Sequence, residues 1–125
     1  MNDFSNPMFG VDAQSGLKML GGNAGIYLRL LGTYKNGTLY SDFVNAVNEG
    51  DPEKARIAGH TLKGAVGNLH LNELFEKSRD LEVGIKETGV LPTSEDMEEL
   101  AKIQEATIST IETLTEAPSI LDMYK

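Results

Sequence analysis

Apolar residues recur along this chain at intervals of three and four, the period of a helix, and no stretch alternates at period two for long. The punctuation agrees. Asp12 can cap a first short helix that runs to about Leu20, where Gly21 and Gly22 stop it. Asn23 can cap a second, with Ile26, Leu30, Leu31 and Tyr34 on one side and Leu39, Phe43, Ala46 and Val47 continuing the pattern. Asn36-Gly37 interrupts it, and a kink rather than a full break is expected there. Gly50 ends it. Asp51-Pro52 restarts the chain, with the proline at a first helical position where its missing N–H costs nothing. A third main helix follows from Pro52 to about Leu69. A fourth runs from about Leu71 to Thr88, carries Leu74, Phe75, Leu81 and Ile85, and closes at Gly89. Thr93 or Ser94 opens the fifth segment, where Glu95 to Glu99 suit the positive end of the helix dipole. Met97, Leu100, Ile103, Ile108, Ile111 and Leu114 form its stripe, and it should end before Pro118. The expected fold is all-α: an up-down antiparallel four-helix bundle with a short extra N-terminal helix. One domain of 125 residues is expected, with a core over about 9–116 and a tail over 117–125.

Composition narrows the chemistry. The chain has no cysteine, which removes disulfides, thiolate metal sites and cysteine nucleophiles. No apolar run approaches the ~18 residues of a membrane span, and Met1 to Gly10 lacks a signal-peptide pattern. A cytoplasmic monomer without membrane insertion is the expectation. The net charge of −8 is uneven: Met1–Asn72 holds 6 acidic and 6 basic residues, whereas Glu73–Glu116 holds 12 acidic and 4 basic. A basic footprint is missing, so nucleic acid is a poor partner. The acidic half reads as a solvated face.

The third main helix carries the chemistry. Its stripe is Ala55, Ala58, Leu62, Ala65, Val66 and Leu69, and His60 falls about 180° from the middle of it, so the imidazole should face solvent. Arg56, Lys63, Gly64 and Gly67 lie on the same side. Helical side chains lean toward the N-terminus, so a side chain at 64 would overhang His60, and glycine removes it. Three mid-helix glycines (Gly59, Gly64, Gly67) cost roughly 1.5–3 kcal/mol together relative to alanine. Close helix packing is one reason to accept that cost. Clear access to the imidazole is the other, and the solvent-side phase of Gly64 and Gly67 favours it. An exposed neutral imidazole is a good nucleophile near neutral pH. Lys63 supplies three donors and a positive charge one turn away, and Arg56 a second cation. No phosphate-cradling glycine loop, nucleotide site or magnesium cluster is visible. Such a chain could carry a phosphoryl group but should not take one from ATP.

The run His60-Thr61-Leu62-Lys63-Gly64-Ala65-Val66-Gly67-Asn68-Leu69 resembles the phosphoacceptor motif of histidine-containing phosphotransfer (HPt) domains of two-component phosphorelays. Phe9-Gly10-Val11-Asp12, Gly16-Leu17 and Tyr27-Leu28-Arg29-Leu30-Leu31 resemble the family's opening helices. Gly50-Asp51 before the motif and Leu74, Ser78 and Leu81-Glu82 after it also fit, so the likeness spans about residues 9 to 88. His70 stands where the family often has glycine, and Val66 where it often has a smaller residue. The resemblance implies phosphorylation of His60, support of the phosphate by Lys63 and clearance by Gly64. It implies transfer to and from an aspartate on receiver domains of response regulators or hybrid kinases, which bring the magnesium. The chain would need no cofactor or metal of its own and would be a carrier, not an enzyme. A receiver would dock over Arg56, Ile57, Gly64 and Gly67.

Two other readings remain. His70 could be a second acceptor or a metal ligand with Glu73, but a surface histidine at a helix end is the plainer reading, since two ligands do not make a metal site. A helical adaptor could use the same face without phosphoryl chemistry, with Ile57 as an exposed apolar contact. It would not need His60 as histidine.

Overall fold

The computed structural model describes residues 2–125. Among them are six α-helices and no strand: α1 (Ala13–Met19), α2 (Ala24–Asn36), α3 (Leu39–Asn48), α4 (Pro52–Asn68), α5 (Asn72–Thr88) and α6 (Ser94–Glu116), followed by a 3-10 helix (Pro118–Tyr124). The helix starts follow the side chains that can satisfy free N–H groups. Asp12 accepts from the Ser15 N–H at 3.1 Å, Asn23 from Ile26 at 3.0 Å and Asp51 from Lys54 at 3.1 Å. Thr93 accepts from the Asp96 N–H, and the Asp96 carboxylate accepts from the Thr93 N–H in return, a capping box. Gly89 closes α5 in the left-handed conformation, at φ 69°.

The expected second helix is two. Gly37 is extended, with φ −85° and ψ −174°, and Thr38 starts α3 as its N-cap. The expectation of a kink at Asn36-Gly37 is corrected to a full break. A Cβ at Gly37 would lie 3.0 Å from the Thr33 carbonyl oxygen, so the turn leaves little room for a side chain, and the Gly37 N–H still closes α2 on the Tyr34 carbonyl at 3.1 Å. The inward face of α2 also differs. Tyr27, Leu31 and Tyr34 are buried, while Ile26 is exposed. Tyr27 is accommodated because α1 presents Gly16 to its ring, and its hydroxyl donates to the Leu69 carbonyl at 2.8 Å. Burial, and secondarily the Asp12 charge, pushes the Tyr27 hydroxyl well above the usual phenol range.

Helix α4 packs against α3 on one flank and α5 on the other, and α6 packs against α2 and α5. Phe43, Leu62, Val66, Leu74, Leu100, Ile111 and Leu114 meet at the centre. Buried Thr107 and Thr110 also face inward from α6, which the apolar pattern misses. Thr110 donates to the Phe9 carbonyl at 2.7 Å and fastens the N-terminal segment to α6. Lys77 on α5 reaches Asp96 at 3.2 Å and Glu99 at 3.0 Å on α6. The last nine residues, expected as a tail, instead place fully buried Leu121 against the core. No helix among the described residues is long and apolar enough to cross a membrane.

Candidate functional site

Two helices build the site. On α4, Ala55, Gly59, Leu62 and Val66 are buried, so the opposite phase, including His60, points outward. The His60 side chain is 66% exposed. Beneath it, on α5, lies Glu82, whose side chain is only 6% exposed. Ser78, Glu82 and Ile85 recur at helical spacing and are all buried against the neighbouring helices. The His60 Nδ1 stands 3.0 Å from Glu82 Oε1, and the Lys63 Nζ stands 3.8 Å from the same oxygen. One carboxylate therefore faces both His60 and Lys63. A carboxylate can only accept, so the imidazole that meets it donates from Nδ1–H. In the neutral ring that tautomer leaves a lone pair on Nε2.

Close approach of α4 to α3 and α5 favours small residues where they meet. A Cβ on Gly59 would lie 3.0 Å from Phe43 Cε1 and 3.5 Å from Glu82 Cβ. A Cβ on Gly67 would lie 2.9 Å from Phe75 Cδ1. A Cβ on Gly64 would meet nothing within 4 Å. The three glycines thus divide. An added Cβ at Gly64 would meet open space, whereas Gly67 lies against the Phe75 ring, which corrects the expectation that it clears the solvent side. The buried hydroxyl of Ser78, one turn from Glu82, is the only side-chain polar atom among the described residues that is buried without a hydrogen-bond partner.

The cations also divide. Lys63 follows His60 and leans back over it. Arg56 precedes His60 and leans away, and it is held by Glu53 through Nε–Oε2 at 3.2 Å and Nη2–Oε1 at 2.7 Å. The Arg56 hydrogen bonds hold the Glu53 carboxyl below the usual carboxylate range. Arg56 is therefore not a free second cation at the imidazole. Ile57 is 53% exposed and borders a groove between α3 and α4 formed with Leu39, Ala46, Ala58 and Thr61.

His70 lies beyond the end of α4, in a groove with Lys63, Gly64, Gly67, Asn72 and Phe75. It has φ 58°, the only positive φ outside glycine among the described residues. Its N–H bonds to the Gly67 carbonyl and the Leu71 N–H to the Val66 carbonyl, the paired bonds of a Schellman ending. Its carbonyl accepts from the Asp12 N–H at 3.0 Å, which ties the α4–α5 turn to the start of α1. Among the described residues no group of three or more His, Asp or Glu side chains could hold a metal.

Glu82 is the member of the site whose role sequence reasoning missed. Its signal is a charged residue in the inward stripe of α5, between Ser78 and Ile85. No family model matches the chain, and neither a curated protein nor a solved structure matches it.

Proposed function

We propose that the protein is a phosphorelay intermediate of the HPt type. His60 accepts a phosphoryl group from the aspartyl phosphate of one receiver domain and passes it to the aspartate of another. An all-helical fold in which α4 lies between α3 and α5 supports this reading. The observation that carries the reading is the exposed imidazole whose Nδ1 meets the buried Glu82 carboxylate. The Nε2 lone pair attacks phosphorus, the P–O bond to the aspartate breaks, and the aspartate leaves as a carboxylate. The new N–P bond makes the ring cationic while Nδ1 keeps its proton, and the Glu82 carboxylate balances that charge. Lys63 donates to the phosphoryl oxygens, and open space at Gly64 admits the receiver. The receiver brings the magnesium, so the carrier supplies position and charge, which is most of what phosphoryl transfer asks of a protein.

The test is intact-mass analysis after mixing the chain with a histidine kinase, Mg-ATP and a panel of receivers. One acid-labile phosphoryl group, absent in His60→Gln, is expected. Lys63→Ala and Glu82→Gln should each slow transfer, by roughly 10- to 100-fold for the charge-assisted bond to Lys63, with helix content unchanged. Gly64→Leu should block transfer without unfolding. The exposed Ile57 beside the α3–α4 groove favours a second reading, an adaptor that binds its partner without phosphoryl chemistry. Folded protein that stays unlabelled with every donor, yet binds a partner equally well as His60→Gln, would establish the adaptor instead.

A further inference from the structure

Arg56 stands one turn before His60, and the geometry around it describes a cation in waiting. Glu53 lies three residues before Arg56, with the acid N-terminal to the base, the favoured order along a helix. The two side chains meet through two hydrogen bonds at 3.2 and 2.7 Å, and Glu53 is itself largely exposed, at 69%. Exposed pairs of this kind are weak and exchange readily. On the other side of Arg56, four residues on, is the imidazole. Side chains at that spacing have Cβ atoms about 5–6 Å apart. The charge of Glu82, under that imidazole, already acts on the Arg56 guanidinium in addition to Glu53.

We infer that Arg56 exchanges partners with the phosphorylation state of His60: it is held by Glu53 while the imidazole is bare, and turns to the phosphoryl oxygens on Nε2 once they are present. This rests on His60 being the acceptor. Two forces oppose each other. Helix geometry favours Glu53, because arginine leans toward the N-terminus and an acid four residues after a base is the poorer order. Charge favours the phosphoryl group, which carries about −1.5 to −2 against the single charge of a carboxylate and offers three oxygens to a planar guanidinium fork. Lys63 approaches from the C-terminal side and Arg56 from the N-terminal side, so both flanks of the phosphoryl group are then neutralised. Glu53 is a positioning residue in this scheme. It keeps Arg56 off the bare imidazole until the phosphoryl group is present.

The exchange is read on the full chain, loaded at His60 with potassium phosphoramidate, a small donor that needs no partner protein. The phosphoryl group moves from the amide nitrogen to Nε2 and ammonia leaves. Phosphorus NMR then follows the protonation midpoint of the bound phosphoryl group. A cation on its oxygens favours the doubly charged form and lowers the midpoint. Arg56→Gln is expected to raise it by about 0.2–0.7 pH units, the size of an exposed ion pair. Glu53→Gln is expected to lower it further, since Glu53 no longer competes for Arg56. Arg56→Lys should recover part of the loss. The double variant discriminates: Glu53→Gln should do nothing once Arg56 is gone. An unchanged midpoint in Arg56→Gln overturns the exchange. So does an equal effect of Glu53→Gln with and without Arg56, because Glu53 would then act as a bare charge. Labelling that spares His60 overturns the carrier reading itself, and the exchange with it.

Discussion

The two sides of α4 differ in character, yet both use glycine, and they use it in opposite ways. The inner side carries Ala55, Gly59, Leu62 and Val66, all buried. The outer side carries Ile57, His60, Lys63 and Gly64, and there His60 is 66% exposed. Glycine occurs on both. At Gly59 an added Cβ would stand 3.0 Å from the Phe43 ring, whereas at Gly64 it would touch nothing within 4 Å. The same residue, with the same helical cost, brings helices together at one position and leaves a surface clear at the other. What distinguishes them is the neighbour, not the helix. Glu82 sits at the border: it is reached from the inner side by the crossing of α4 and α5, and it acts on the outer side through His60 and Lys63.

Substitutions put this contrast to the test, and the largest effect belongs to the inner side. Leu62→Ala should lower unfolding free energy by about 2–5 kcal/mol through the cavity it leaves, while His60→Gln should stay within about 0.5 kcal/mol of the parent. Urea unfolding of the two variants measures both, and equal losses would erase the distinction between the faces. The glycines come next. Gly59→Leu should cost about 1–3 kcal/mol by overpacking against Phe43 and Glu82. Gly64→Ala should add about 0.5–1 kcal/mol, because the helix gains and nothing is displaced. Destabilisation by Gly64→Ala would show that the space above the site is filled. His70→Gly should raise stability by about 1 kcal/mol by relieving a left-handed backbone at the end of α4, and the thermal midpoint reads it.

The smallest effect is electrostatic and lies between α5 and α6. Burial pushes the Asp96 carboxyl up, but the Lys77 ammonium and the Thr93 cap outweigh it, and the group is held below the usual carboxylate range. A lowered folded value means that its contribution is present above the unfolded value, about pH 4, and is lost as pH falls through the folded value. Stability should therefore drop over that acid window, and less so in Lys77→Met. Added salt should shrink the difference, since Lys77 bridges to carboxylates at the surface.

Much of the architecture is legible in the amino-acid sequence. Asp12, Asn23, Asp51 and Thr93 mark four helix starts because their side chains bond to nearby N–H groups, an interaction wholly local in the chain. The outward phase of His60 follows from the spacing of Ala55, Leu62, Val66 and Leu69. The burial of Tyr27 in place of Ile26 and the burial of Leu121 do not follow, because each depends on what another segment presents: Gly16 opposite Tyr27, and α1, α2 and α6 around the last turn.

The helical elements, their caps and the face on which the imidazole stands are properties of local sequence, since they depend on residues within one or two turns of one another. Which glycine packs and which stays open is settled only when the helices come together. The same packing sets Glu82, 22 residues away along the chain, 3.0 Å from His60 Nδ1. A contact of that kind is created by the crossing of two helices, and no periodicity within either helix encodes the other's position.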